Sequence, residues 1–311
     1  MPDLTARDLT ARDLIVMVDW SAAASPVRGA DSIWVAAGRT TTDLTVQNVA
    51  TRAAAVDLLA DLCSGDERVL IGLDVSLGAP VGLARSLGHD GAEHDRWRTV
   101  WHQVRDEVHD HDDNSNDRFA AAARLNRVIG APAGPFWGVP RGQRLESLAA
   151  TSPGWPVEAP AATFDEYRIV ERRLLAEGLR PQSTWKLAYQ ASVGSQFLTA
   201  VGRLTELDDR VDGGVAVWPF EDHRDARVVV AEVWPGRHSW KPGPGPRDRD
   251  QVVGVAGELL AHRDDGSLES MLDERAALPA DARNEEGWIL GVAAEGWILG
   301  MAAEGTTPPN A

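Results

Sequence analysis

Cys63 stands alone in a chain of 311 residues, so no disulfide can form within it and no cysteine-rich zinc site can be built. Lysine is almost as scarce: with only Lys186 and Lys241 present, the cationic side chains are nearly all arginine. Basic charge as a whole is in deficit. The 31 Lys and Arg against 47 Asp and Glu leave a net charge of −16, the reverse of the footprint expected of a duplex-binding protein. No apolar run approaches the ~20 residues that span a bilayer, and the N-terminus lacks the basic flank and long apolar centre of a signal peptide. The expectation is therefore a cytoplasmic protein with no membrane association. What the chain does have is 43% hydrophobic residues, enough for a sizeable core in one large domain or one domain with an insertion.

Three apolar runs each end in an acid. Leu14 to Val18 delivers Asp19, Val69 to Leu73 delivers Asp74, and Val228 to Ala231 delivers Glu232. Such runs read as buried strands with a carboxylate at the tip. One acid at a strand end also suits a turn or a helix cap. Three converging ones would repel each other, and a divalent cation is the simplest relief.

In chain order, residues 1–13 hold a tandem Asp-Leu-Thr-Ala-Arg and read as a frayed leader, with a second flexible tail at 301–311. Ser32 to Ala37 and Leu44 to Val49 complete an antiparallel meander with the Asp19 strand. Thr51 caps a helix to Cys63, and the crossover makes the Asp74 strand parallel to the first, with both acids at one end of the sheet. A largely helical insertion is expected at about 84–212 within a domain spanning 14–300.

Several features inside that insertion have two readings. His109 to Asn114, with His102 and Asp106, is either a metal cluster or a solvated charge run. Trp137 and Arg141, in a rigid aromatic loop, either cover a core edge or face a ligand. Thr163 and Glu166 read as a capping box. Lys186 and Gln196 flank a helix start that could hold an anion or be an ordinary cap. Beyond it, Val215 to Trp218 and the Glu232 strand read as a hairpin.

The order β-β-β-α-β, with acids ending the first and fourth strands, looks like the ribonuclease H-like fold, a mixed sheet flanked by helices. Val18-Asp19-Trp20-Ser21, Gly72-Leu73-Asp74 with Gly78 to Pro80, Val193 to Gln196 and Glu232-Val233-Trp234-Pro235 resemble motifs of the DUF429-like family, described as predicted nucleases. The family's acidic helix start is matched only in altered form by Asn284-Glu285-Glu286-Gly287. The resemblance implies a metal-dependent phosphodiester hydrolase. In it Asp19, Asp74, Glu232 and Glu285 or Glu286 would hold Mg²⁺ or Mn²⁺. The insertion is expected to pack over the acid-bearing end of the sheet, which makes Trp137, Arg141, Lys186 and Gln196 the candidates to face a nucleic acid or nucleotide-like substrate. No Ser or Cys nucleophile is expected, since Cys63 falls on a core face and Ser21 has no histidine partner. The alternative is a non-catalytic binder of a small phosphorylated or nucleotide-like ligand, accessory to cobalamin or molybdopterin biosynthesis.

Near the C-terminus, Glu286-Gly-Trp-Ile-Leu-Gly-Val-Ala-Ala is followed at once by a near copy from Glu295. In a helix a nine-residue period turns successive copies to opposite faces. The first copy is therefore expected to pack Trp288, Ile289 and Leu290 on the core, and the second, with Trp297, to be exposed or to form a homodimer contact.

Overall fold

A computed structural model describes residues 12–89 and 91–294. Strand β1 (Leu14–Asp19) is apolar at every position but the last, as suits a strand covered on both faces. Leu14, Val16 and Val18 enter one core, and Ile15 and Met17 enter a second on the opposite face. Strands β2 (Ile33–Gly38) and β3 (Thr45–Val49) pair antiparallel in the expected meander. Helix α1 (Arg52–Leu62) starts where the Thr51 hydroxyl accepts the Ala54 N–H, and it leads to β4 (Val69–Leu73). Strand β4 lies parallel to β1 with Val18 level with Leu73.

Next come α2 (Leu83–Ser86), α3 (Arg96–Glu107), α4 (Arg118–Ile129), the small hairpin β5 (Val157–Glu158) and β6 (Thr163–Phe164), α5 (Ile169–Ala176) and α6 (Val193–Arg210). The insertion is thus largely helical. It is not a lobe set apart: α6 packs on α1 as well as α3, and its apolar residues join the core beneath β1 and β4. The chain closes with β7 (Ala216–Trp218), β8 (Val228–Glu232), α7 (Arg247–Asp264) and α8 (Ser267–Asp273). The result is a mixed six-stranded sheet in the order β3-β2-β1-β4-β8-β7, with α7 across β1 and β2 on one face. Among the described residues no helix is long and apolar enough to cross a membrane.

The structure departs from several expectations. Strands β7 and β8 do not form a hairpin; they pair parallel, with Val217 level with Val230. A three-residue strand is only ~10 Å long, short enough for the connection through Pro219 and Arg227 to retrace without a helix. The expected leader is anchored at its end: Arg12 is fully buried and donates to the carbonyls of His223 and Ala226. Residues 1–11 lie outside the described residues. Thr163 belongs to a strand, and the reciprocal bond forms later, where the Glu171 carboxylate accepts the Arg168 N–H ahead of α5.

The final element is not a long helix. Ala282–Glu286 makes a single π-type turn that stops at Gly287, whose φ of 76° is left-handed. Trp288, Ile289 and Leu290 are buried as expected, but in extended chain, with Ile289 bridging to Glu232. The helical period therefore does not govern the repeat. The second copy, the dimer contact placed on it and the tail at 301–311 lie outside the described residues.

Candidate active site

Side-chain parity decides which acids meet. Asp19 follows Met17 by two positions and Asp74 follows Gly72 by two, so both project toward the face covered by α7. The strands are neighbours in parallel register, and the Asp74 N–H donates to the Val18 carbonyl, which sets the two tips side by side. Glu232 is level with Leu73 rather than with Asp74. It follows Val230, a residue of the opposite core, and so projects to the other face.

Helix α7 brings the groups that sequence reasoning missed. Gln251 Nε2 donates to Asp74 Oδ2 at 3.1 Å, and Asp248 in the first turn accepts the Asp31 N–H at 2.8 Å. An acidic helix start does stand beside Asp19, but it is the one at Asp248, not the one at Glu285. The visible signal was Arg247-Asp248-Arg249-Asp250 at the head of an apolar helix. From the other side, Gln196 in the first turn of α6 donates to the Trp20 carbonyl, and the Trp20 indole donates to Thr199 Oγ1. These two bonds tie α6 to the chain leaving β1. Asp19, Asp31, Asp248 and Gln196 together line a cleft of about 380 Å³. A smaller void of about 40 Å³ lies between Asp74, Gln196 and Glu232.

Electrostatics single out the same pair. Burial, then Asp74, Asp248 and Asp31, hold Asp19 well above the usual carboxylate range, with Arg247 opposing weakly. Burial and Glu232 push Asp74 up to about 7 against the bond from Gln251. Half-buried in the wall of the cleft, the Asp19 carboxylate accepts no hydrogen bond from a described residue.

Glu285 and Glu286, expected in the ion's shell, are engaged elsewhere. Glu285 Oε1 accepts the N–H groups of Gly82 and Ala84, and Glu286 accepts those of Val81 and Ile169. Gly78 explains the placement: a Cβ there would come within 2.4 Å of the Glu286 carbonyl oxygen, so the loop after β4 and the π-type turn touch backbone to backbone. Glu232 is held by Arg168 through two bonds of 2.6 and 2.8 Å and by the Leu77 N–H. All three glutamates hold the fold together.

Of the expected substrate-facing residues, only Gln196 lines the cleft. Trp137 is stitched between Trp185 and Leu187 with its ring half-buried against the core. Lys186 Nζ binds Gln182 and the Gln190 carbonyl, and Arg141 is exposed. The histidine and aspartate run is structural too, since Asp110 pairs with both Arg52 and Arg203. Among the described residues no three His, Cys, Asp or Glu side chains stand together in an arrangement that could hold a metal ion. Comparison with family models, curated proteins and solved structures finds no match to this chain.

The raised acids have a measurable sign. Asp74 is protonated in the folded state up to about pH 7, whereas unfolded it ionises near 3.8. Between those values the folded state binds the extra proton, so stability falls as pH rises, by at most about 1.4 kcal/mol per unit. Glu286, pushed by burial to about 7, adds in the same direction, while burial lowers His223 and His238, which oppose it below their ordinary value of 6.5. Comparing wild type with Asp74→Asn by urea unfolding in EDTA reads Asp74 together with Asp19, because the substitution also removes the charge that Asp74 sets against Asp19. The variant should gain on wild type steadily from pH 5 to 7; a constant difference would show that Asp74 is not raised.

Proposed function

We propose that this chain is a metal-dependent phosphodiester hydrolase of ribonuclease H-like fold, akin to the DUF429-like proteins it resembles. The observation that carries the reading is the pair Asp19 and Asp74, level at adjacent parallel strand tips and raised together, with Asp19 accepting no hydrogen bond from a described residue. Two carboxylates suffice for Mg²⁺ or Mn²⁺ in this setting, because Mg²⁺ commonly keeps several waters and takes its other ligands from substrate phosphate. Asp19 and Asp74 would hold the ion, with Asp248 close enough to raise Asp19 and so to add negative field. A bound divalent ion would polarise the phosphoryl oxygen and make water a stronger nucleophile.

The chain's own residues supply the rest. Gln251 fixes Asp74 by its bond to Oδ2. Gln196, anchored on the Trp20 carbonyl, sets one wall of the cleft against which a substrate is placed. A catalytic role for Glu232, Glu285 or Glu286 is not part of this reading, because their oxygens are already bonded within the fold.

The test is hydrolysis of bis(4-nitrophenyl) phosphate across a titration of Mg²⁺ and Mn²⁺. Turnover that rises with the ion, vanishes in EDTA and is restored by excess metal is the expected result. No turnover, with nucleotide binding still seen as a rise in thermal midpoint, would select the non-catalytic binder instead.

A further inference from the structure

Arg118 opens α4 and lines the same cleft as Asp19. Its Nε donates to Ser195 Oγ at 2.9 Å and its Nη1 to the Asn116 side-chain oxygen at 2.8 Å. The Ser195 hydroxyl in turn donates to the Leu187 carbonyl at 2.6 Å, so its lone pair stays turned to the arginine. The guanidinium also lies 4.5 Å from the centre of the Phe119 ring. Every one of these partners is neutral. The side chain is oriented without a direct ion pair to a described residue, and its Nη2 makes no hydrogen bond to a described residue. Arg52 and Arg203 nearby are different, each in an ion pair with Asp110. Burial and the Arg52 charge push Arg118 down to about 10, against the opposing pull of Asp110.

The Arg118 guanidinium and the Asp19 carboxylate thus line one cleft of about 380 Å³, a size that suits a small ligand, with Asp74 beside Asp19 at the next strand tip. Arginine's planar fork binds phosphate or carboxylate oxygens in two parallel bonds. The ring of Tyr189, 57% exposed and fixed by its hydroxyl on the Val139 carbonyl, lines the same cleft and offers a face to a base. A net charge of −16 disfavours a long polyanion and favours a small one.

We propose that Arg118 receives a second anionic group on a nucleotide-sized phosphodiester whose reacting phosphate lies at Asp19 and Asp74. The position of the reacting phosphate rests on the hydrolase reading above; the anion site at Arg118 does not. Calorimetric titration of the full chain with thymidine 3′,5′-bisphosphate and with the 3′- and 5′-monophosphates, in Mg²⁺, tests it. The bisphosphate should bind at least tenfold more tightly than either monophosphate, and Arg118→Gln should collapse that ratio toward one. Arg118→Lys, which keeps the charge and loses the fork, should retain part of the ratio, and it decides the matter should the glutamine variant fail to fold. Equal affinities in wild type, or a ratio untouched by either variant, would overturn the proposal. A ratio that behaves as expected in a protein without metal-dependent turnover would remove the hydrolase reading and leave the anion site standing.

Discussion

Arg168→Ala will lower the unfolding free energy by about 3–5 kcal/mol, the range for breaking a buried ion pair by removing one partner. The guanidinium is 1% exposed and reaches both oxygens of Glu232, Glu171 Oε1 and the Glu286 carbonyl. Burial works against its charge, yet Glu171 and Glu232 outweigh burial and hold Arg168 above its ordinary value. Without it two carboxylates are left buried and unpaired beside each other. The triple variant Arg168→Met, Glu171→Gln, Glu232→Gln should lose much less, because no uncompensated charge remains. Urea unfolding compares them, and a loss below about 1 kcal/mol for Arg168→Ala would show that the network is relieved by water.

Asp19→Asn should weaken Mg²⁺ or Mn²⁺ binding by more than the 10–100-fold typical of losing a supporting residue, since Asp19 is a ligand under the hydrolase proposal. It should also raise the thermal midpoint of the metal-free protein at pH 8. The sign follows from the environment: burial, Asp74, Asp248 and Asp31 all disfavour the Asp19 charge, so a neutral amide relieves repulsion on folding. Calorimetric metal titration, with thermal melts in EDTA, measures both. An unchanged metal affinity would take Asp19 out of the ion's shell, and a lower metal-free midpoint would show that its charge stabilises the fold.

The pairing of Asp19 with Asp74 was legible because it depends on local information. An antiparallel meander followed by a crossover helix returns the next apolar run parallel to the first and beside it, and an acid one step past each run lands at one sheet end. Glu232 misled because a run ending in an acid does not reveal its register against the neighbour. Val233, not Glu232, is level with Asp74, and a shift of one residue turns a side chain to the other face. Glu285 and Glu286 misled for a related reason. Acids at the start of a helical segment look alike whether they face an ion or backbone N–H groups, and only the fold distinguishes them. Asp248 and Arg118 were beyond reach because each matters through what lies beside it in space, and Ser195 and Asn116 look like ordinary polar residues in the sequence. The parallel pairing of β7 and β8 was missed because so short a connection normally signals a hairpin.

The bonds from Glu285 and Glu286 to the amides of residues 81–84 join positions 201 to 205 apart along the chain. Contacts of such separation carry a large loop-closure entropy and tend to form after local structure has condensed. The segment that includes Ile289 also borders the void beside Asp74. Folding can therefore reach a stage at which the sheet and both strand-tip aspartates are in place while the wall behind them is still open. Enclosing the surroundings of the acid pair is then a different task from assembling the pair itself, and it requires a closure across some two hundred residues of chain.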